Sequence, residues 1–223
     1  MVLMSEQESK IFLVDDHPLV REWLANLIHQ QDDLVVCGEA ESPEQALDLI
    51  VKKKPDVAIV DISLKEGSGI ELIKNIKSHR LPVSVIVLSM YDENLYATRA
   101  LRAGARGYIT KRETAQNVIA AIRQVLEGKL YLSEQMKALF TEKFVEGDTA
   151  IAGPSIEKLS DRELEVFKLL GEGYETRRIA EVLHVSMKTV QTFCVRIKEK
   201  LDLATATELL REAIRWHENQ QAS

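Results

Sequence analysis

Short hydrophobic runs alternate with helix-like segments through the first half of the chain. In the helix-like segments apolar residues recur three and four positions apart, as Leu19, Trp23 and Leu27 do, which predicts amphipathic helices. The short runs occupy residues 11–14, 34–36, 57–60, 83–88 and 107–109. Four of the five are rich in valine and isoleucine, which is typical of strands buried on both faces of a parallel sheet. This alternation predicts a five-stranded, doubly wound parallel α/β sheet.

After Gly128 only helical patterns follow. Residues 133–144 predict one helix, and residues 147–155, which contain Gly and Pro without helical periodicity, predict a linker. Four more helices are predicted beyond it: one begins at a capping box over residues 160–163, a short one is capped by Thr176, a longer one by Ser186, and the last ends near Trp216. We therefore expect a first domain over residues 9–128, a helix and linker over 129–155, and a four-helix helix-turn-helix domain over 156–220.

Composition excludes several classes of protein. The 223 residues are 45% hydrophobic and 29% charged, with a formal net charge of -6, which is ordinary for a globular protein. No apolar run reaches the roughly 18 residues that a membrane-spanning helix needs, and the polar start is unlike a secretory signal. Cys37 and Cys194 are too few and too far apart for a disulfide framework or a cysteine metal site. We expect a cytoplasmic protein that does not enter a membrane.

The ends of the predicted strands carry complementary polar groups. Asp15 and Asp16 follow the first strand, Asp61 the third, Ser89 ends the fourth, and the fifth leads to Lys111. Ligands of doubly wound sheets bind at these carboxyl ends. Converging carboxylates favour a hard divalent cation such as Mg²⁺, and a lysine and a hydroxyl facing them suit an incoming phosphoryl group. Taken singly, each aspartate is more often a turn or cap residue; the occurrence of all of them at successive strand ends favours a site.

These segments resemble the receiver domain of bacterial two-component response regulators, which has a flavodoxin-like fold. The resemblance implies that Asp61 is the phosphoacceptor and accepts the phosphoryl group of a sensor histidine kinase. It also implies a Mg²⁺ or Mn²⁺ ion bound directly by Asp16 and Asp61, through water by Asp15, and by the backbone carbonyl of Ser63. His17 is expected to be a loop residue of the family pattern and not a catalyst.

The resemblance assigns further roles around the phosphoryl group. Lys111 would pair with it, Ser89 would hydrogen-bond to it, and Tyr108 would be the aromatic residue that changes rotamer. Two positions depart from the common pattern: Lys65 stands where many receivers have proline, and Arg112 follows Lys111 where many have proline. A receiver of this kind is not an enzyme beyond catalysing its own phosphoryl transfer and dephosphorylation. A separate enzyme with an aspartate nucleophile would need a second acid–base group, and Ser63 stands where that carboxylate is expected.

One face of the longer predicted helix in the second half carries side chains suited to a DNA major groove. With Arg177 and Arg178 of the preceding helix placed for phosphate contacts, the expected DNA-binding residues are Arg177, Arg178, Lys188, Thr189, Gln191, Thr192, Val195 and Lys198. Residues 156–223 hold 11 Lys and Arg against 12 Asp and Glu, so their net charge is -1, whereas residues 177–200 hold six against two, a net of +4. From the pattern alone, a helical interaction module is an equally good interpretation.

Residues 159–166, with Gly173, residues 179–180, Leu183, Ser186, residues 188–190 and residues 200–201, are similar to the LuxR-type DNA-binding domain. A receiver joined to such a domain resembles the NarL/FixJ subfamily of response regulators. That resemblance implies a transcription regulator that forms a homodimer on double-stranded DNA when activated. The alternative is a phosphorylation-controlled interaction regulator with weak or no productive DNA binding.

The departures from the LuxR-type pattern fall where DNA would be read. Relatives often have lysine at Gln191 and histidine at Phe193, and some have a basic residue at Val195. Gln191 can still read adenine and Val195 can contact a thymine methyl group, so a preference for A·T pairs is expected. An apolar stripe on the last helix is the expected dimer contact, or alternatively core packing; it comprises Leu209, Leu210, Ala213 and Trp216.

Overall fold

The computed structural model describes residues 8–65, 67–90, 93–145 and 156–221. The chain divides into two compact units, residues 1–147 and 148–223, and each is described by itself. The predicted linker, residues 147–155, lies outside the described residues. The domain boundaries at residues 128 and 155 stay predictions.

A parallel five-stranded sheet forms the centre of the first unit. The strands are β1 (Ser9–Val14), β2 (Leu34–Ala40), β3 (Val57–Val60), β4 (Ser84–Ser89) and β5 (Gly107–Thr110). Their order in the sheet is β2-β1-β3-β4-β5, so β1 and β3 are neighbours and their carboxyl ends meet. The apolar residues of β1, β3, β4 and β5 are largely buried because helices cover both faces of the sheet. The predicted five-stranded, doubly wound fold is confirmed.

Five helices alternate with these strands: α1 (Pro18–His29), α2 (Pro43–Lys53), α3 (Gly69–Ser78), α4 (Glu93–Ala103) and α5 (Ala115–Leu126). The side chain of Ser42 accepts a hydrogen bond from Gln45 N and so caps α2. In α1 the buried residues are Leu24 and Ile28, whereas Leu19 and Trp23 are exposed. The helix was predicted from the spacing of Leu19, Trp23 and Leu27, but a neighbouring stripe faces the sheet.

The chain after α5 runs along the free edge of the sheet. Tyr131 N donates to Arg106 O at 2.9 Å, and Tyr108 N donates to Tyr131 O at 3.2 Å. The following helix, α6 (Glu134–Val145), begins at Ser133, whose hydroxyl accepts a hydrogen bond from Met136 N. This added segment shields the edge of β5.

The second unit is helical. A 3₁₀ turn at Ile156–Lys158 precedes α7 (Asp161–Gly171), α8 (Thr176–Val182), α9 (Met187–Leu201) and α10 (Ala206–Gln221). The capping box predicted at the start of α7 is present, with Ser160 and Glu163 each accepting from the other's backbone. Thr176 is the first helical residue and not the cap, because the N-cap position of α8 is Glu175. The last helix continues past Trp216, where it was predicted to end.

The apolar stripe of α10 is used mainly for packing inside this unit. Leu209 and Ala213 are buried, and the ring of Trp216 lies 5.7 Å from that of Phe167 on α7. A methyl group on Gly171 of α7 would stand 2.5 Å from Ala213 O, so the backbones of the two helices touch. Of the four residues expected at a dimer contact, Leu210 is the exposed large hydrophobic one. Among the described residues no helix is long and apolar enough to cross a membrane.

Candidate functional site

Three aspartates meet where the neighbouring strands β1 and β3 end. Asp15 and Asp16 directly follow β1, and Asp61 directly follows β3. All three are buried. One ligand atom from each of them, together with one from His17, lies within 4.8 Å of the others. The fold therefore brings together the carboxylates that the sequence predicts to converge.

Lys111 links two of these carboxylates. Its Nζ lies 2.6 Å from Asp15 Oδ2 and 2.7 Å from Asp61 Oδ2, and its side chain is 9% exposed. The end of β5 positions this lysine, because Lys111 N donates to Ser89 O at 2.7 Å. Ser89 itself ends β4 and is fully buried. The four predicted strand ends therefore converge on one site.

The buried charges of this site change one another's ionisation. Burial raises the pKa of Asp61, the charge of Asp15 adds to that effect, and Lys111 opposes it. Burial alone would lower the pKa of Lys111, but the Asp61 and Asp15 carboxylates raise it above its usual value. The charged form of the Asp61 carboxylate is therefore less favourable than that of an exposed aspartate, whereas the protonated form of the neighbouring Lys111 is favoured.

Asp16 has different neighbours. Its Oδ2 lies 3.4 Å from Lys65 Nζ, and its Oδ1 lies 3.1 Å from His17 Nδ1. His17 Nδ1 is hydrogen-bonded to Asp15 Oδ1, and within the part of the chain that the structure describes the buried Oδ1 of Asp16 has no hydrogen-bond partner. An oxygen left without a partner among converging carboxylates is what a hard divalent cation binds, so the residues present fit Mg²⁺.

Ser63 and Tyr108 complete the predicted set. Ser63 N donates to Asp61 Oδ1 at 3.1 Å, which fixes the carboxylate against the turn after β3. Tyr108 is buried in the middle of β5, and its backbone carries the hydrogen bond to Tyr131 at the sheet edge. Ser63 is therefore in direct contact with Asp61, whereas Tyr108 lies on β5, three residues before Lys111.

Two residues that shape this site are not indicated by the sequence pattern. The side chain of Arg21 on α1 is nearly buried; its Nη1 donates to Asp15 O at 2.5 Å, and its other nitrogens bind Glu39 near the end of β2 and Glu41 just after it. Gly69 begins α3, and a methyl group there would stand 2.1 Å from Asp61 O. Neither residue breaks a periodic pattern, so only the fold shows that Arg21 binds the backbone of Asp15 and that α3 approaches Asp61 this closely.

The expected DNA-reading residues lie on the outside of the second unit. Lys188, Gln191, Thr192 and Val195 are exposed on one face of α9, while Val190 and Ile197 on the opposite face are buried. Phe193 on the same helix is half-buried.

The other predicted contacts are partly engaged within the domain. Arg178 Nη1 lies 3.0 Å from Glu181 Oε2 and Arg177 Nε lies 3.6 Å from Glu181 Oε1, so both arginines share one glutamate of their own helix. Thr189 Oγ1 lies 2.8 Å from Ser186 Oγ at the start of α9. Lys198 is half-buried further along this helix.

Comparison with known proteins identifies both units. Residues 11–123 match the response regulator receiver domain, and residues 157–213 match the LuxR family of bacterial regulatory proteins. The chain belongs to the response regulators. It is a DNA-binding response regulator of a two-component system, with a receiver domain followed by a LuxR-type domain, as predicted.

Relatives support this membership over the whole chain. The oxygen regulatory protein NreC of Staphylococcus carnosus (strain TM300) is 34% identical over 210 residues, which are 92% of this chain and 97% of that protein. Two solved structures are 27% identical, each with a TM-score of 0.58 over 92% of this chain. One is RcsB of Salmonella enterica serovar Typhimurium bound to promoter rprA in the presence of the phosphomimetic BeF₃⁻, covered over 98% of its length. The other, of two RcsB dimers bound to two parallel DNAs, is covered over 97%.

Proposed function

We propose that Asp61 accepts a phosphoryl group from a phosphohistidine of a sensor histidine kinase. The observation that carries this proposal is the convergence of Asp15, Asp16, Asp61 and Lys111 at adjoining strand ends. In the transfer, an Asp61 carboxylate oxygen forms the new O–P bond while the P–N bond of the phosphohistidine breaks. The electron pair of that bond returns to the histidine nitrogen, which takes up a proton from solvent.

The carboxylates also suit a divalent cation, Mg²⁺ or Mn²⁺. We assign Asp16 and Asp61 as direct ligands, Asp15 as a ligand through water, and the backbone carbonyl of Ser63 as the remaining protein ligand. When bound, the cation supplies positive charge that offsets the charge of the transferring phosphoryl oxygens. The partnerless Oδ1 of Asp16 supports this assignment.

Lys111 and Ser89 are assigned to the phosphoryl group itself. Lys111 already lies 2.7 Å from Asp61, so its ammonium is placed to pair with a phosphoryl oxygen on that residue. Ser89 provides a hydroxyl at the end of the adjoining strand β4, and Tyr108 on β5 is the aromatic residue that changes rotamer. The receiver catalyses only its own phosphorylation and dephosphorylation, and its output is a shift between two conformations.

The output acts on DNA. We propose that α9 enters the major groove with Gln191, Thr192 and Val195 facing base edges, and that Lys188, Thr189 and Lys198 contact phosphates with Arg177 and Arg178. The RcsB dimers bound to DNA support a homodimer on activation.

The site of action is the cytoplasm, where a bacterial chromosome is found. The functional units are residues 9–128, 129–155 and 156–220.

Phosphodonor labelling of Asp61→Asn tests the first half of this proposal. The substitution removes the attacking carboxylate and keeps the side-chain size, so labelling should fall to background. Asp48→Asn is a matched control, because Asp48 is exposed on α2 and the chemical change is the same. Stoichiometric labelling of Asp61→Asn would contradict the proposal.

Selection from a random-sequence DNA pool, with and without beryllofluoride, tests the second half. We expect enrichment of an inverted repeat, because the two subunits of a dimer read the same sequence in the two half-sites. The enrichment should be stronger with beryllofluoride. A Gln191→Ala protein should lose preference at one base pair of each half-site. Absence of any enrichment in both states would contradict the DNA-reading assignment.

A further inference from the structure

The three aspartates of the receiver site are paired with two different lysines. Lys111 lies between Asp15 and Asp61, within 2.7 Å of both. Asp16 forms an ion pair with a second lysine, Lys65, whose Nζ is 3.4 Å from Asp16 Oδ2. Asp16 is also the residue assigned as a direct ligand of the divalent cation, and Lys65 is therefore a positive charge beside a metal ligand.

Lys65 reaches Asp16 from the loop that follows β3. It stands four residues after Asp61. The Lys65 side chain is 52% exposed, whereas that of Asp16 is 5% exposed. The Lys65 side chain can therefore move further into solvent without breaking packing contacts of a buried group, while the Asp16 carboxylate stays in the site.

The charge balance makes this neighbour significant. Asp15, Asp16 and Asp61 contribute three negative charges, and Lys111 and Lys65 contribute two positive ones. Without Lys65 the same site would have a net charge of -2 instead of -1, His17 aside. Because the attraction for a divalent cation grows with the net negative charge of its site, Lys65 opposes the binding of that cation.

We propose that Lys65 is an internal counter-ion of Asp16 that competes with the divalent cation of the receiver. Lys65 partly neutralises Asp16 when no cation is bound and must leave Asp16 Oδ2, or tolerate the repulsion, when one binds. Lys65 thereby raises the cation concentration that phosphorylation requires. This inference rests on the proposed function for the existence of the cation site, but not on phosphoryl transfer itself.

The test is a titration of the full-length protein with Mn²⁺ alone, in which free Mn²⁺ is measured by electron paramagnetic resonance. Lys65→Met should bind Mn²⁺ more tightly than the unchanged protein, by about three- to tenfold at low ionic strength. The difference should shrink in high salt, because the lysine is half exposed and its field is screened. Lys65→Arg keeps the charge and should bind like the unchanged protein.

Lys74→Met is the matched control. Lys74 lies on α3, its side chain is also 52% exposed, and its Nζ lies 2.6 Å from a carboxylate oxygen of Glu71. The same change in total charge and side chain is thus made at an ion pair of equal exposure outside the site. Lys74→Met should leave the Mn²⁺ dissociation constant unchanged within about twofold.

A second measurement is the rise in melting temperature on adding Mg²⁺. A tighter site gives a larger rise at a fixed cation concentration, so the rise should be larger for Lys65→Met than for Lys74→Met. Equal affinities of these two variants, or weaker binding by Lys65→Met, would overturn the inference while leaving the cation site intact. Absence of Mn²⁺ binding by every protein, Lys65→Met included, would overturn both the inference and the proposed cation site.

Discussion

The acidic site of the receiver and the predicted DNA-reading residues of α8 and α9 use charged side chains in opposite ways. In the receiver site, Lys111 and its two aspartate partners are buried and lie 2.6 and 2.7 Å apart. On the DNA-binding domain, the side chain of Arg177 on α8 is 82% exposed, and the carboxylate of Glu181 lies 3.6 Å from it. Substitutions in the receiver site should therefore alter folding and chemistry together, whereas those of the exposed DNA-reading residues should alter DNA binding and leave folding unchanged.

The largest effect should follow from removing Lys111. Lys111→Met leaves the buried carboxylates of Asp15 and Asp61 facing each other without their shared cation. The free energy of unfolding, measured by urea titration in the presence of EDTA, should fall by about 3 kcal/mol, as for other buried ion pairs that lose one partner. Labelling by a phosphodonor should fall as well.

Lys129→Met is the control for this effect. Lys129 is also paired with a carboxylate, that of Glu127, but both side chains are mostly exposed, so the expected loss is below about 0.5 kcal/mol. Equal losses for the two variants would remove the energetic distinction between buried and exposed charges in this protein.

Each domain has a glycine at a close backbone contact, and replacing it with alanine should show whether a loss of stability also changes phosphoryl transfer. Gly69→Ala places a methyl group 2.1 Å from Asp61 O, and Gly171→Ala places one 2.5 Å from Ala213 O. Neither contact is possible without moving backbone, so each should destabilise its own domain by about 2 kcal/mol. Gly69→Ala should also slow phosphodonor labelling because it displaces Asp61, while Gly171→Ala should leave the labelling rate unchanged.

Gly128→Ala and Gly173→Ala are the controls for these glycines. Both have positive φ angles, 77° and 84°, and neither has an atom within 4 Å of an added methyl group. Their cost is backbone strain alone, about 1 kcal/mol. If Gly69→Ala lost no more stability than Gly128→Ala, the close approach of α3 to Asp61 would be wrong.

The helical domain also buries charged side chains, among them Asp161, Glu163 and Glu165, and the pair formed by Glu163 gives a smaller and pH-dependent effect. Glu163 is buried and lies 2.6 Å from Lys200 of α9. Burial alone would raise the pKa of Glu163, but hydrogen bonds from Lys200 and Ser160 outweigh it and lower that pKa. A lowered pKa means that the pair stabilises the fold above the ordinary pKa of glutamate and loses this contribution as pH falls through the folded-state value.

Lys200→Met should therefore lower the free energy of unfolding by about 1 kcal/mol at neutral pH, and the difference from the unchanged protein should vanish in acid. Thermal unfolding followed at a series of pH values measures it. Arg215→Met is the control, because Arg215 pairs with Glu212 of its own helix and its side chain is 68% exposed. If the difference in unfolding free energy persisted at pH values low enough to protonate Glu163, the ion pair would be excluded as its cause.

The receiver site was predictable because the positions of the parallel strands and the places where they end follow from the sequence pattern. Once β1, β3, β4 and β5 are recognised as parallel strands, the residues after them must meet at one edge. Asp15, Asp61 and Lys111 therefore converge without any knowledge of side-chain geometry. The exposed face of α9 was predictable for a similar reason, since the buried positions Val190 and Ile197 are seven apart and fix the opposite face.

The contacts of individual polar side chains were not predictable from the pattern. Arg21 binds the Asp15 backbone across a loop, and Lys65 reaches Asp16 from another strand end; a polar residue in a loop or helix gives no signal of its partner. The stripe of α10 was ambiguous for the same reason. An apolar stripe packs equally well on a neighbouring helix or a second chain, and here Leu209 and Ala213 are buried within the domain.

The smallest effect on folding should come from the DNA-reading face, where the comparison between the two regions is sharpest. Lys188→Met should change the free energy of unfolding by less than about 0.5 kcal/mol. If Lys188 neutralises one phosphate, the slope of the logarithm of the DNA binding constant against the logarithm of salt concentration should become shallower by about 0.9. Gln191→Ala should leave this slope unchanged and alter only base preference, because a neutral side chain displaces no counterions. A loss of folding stability with Lys188→Met, or an unchanged salt slope, would mean that this side chain acts inside the domain as Lys111 does, and not on DNA.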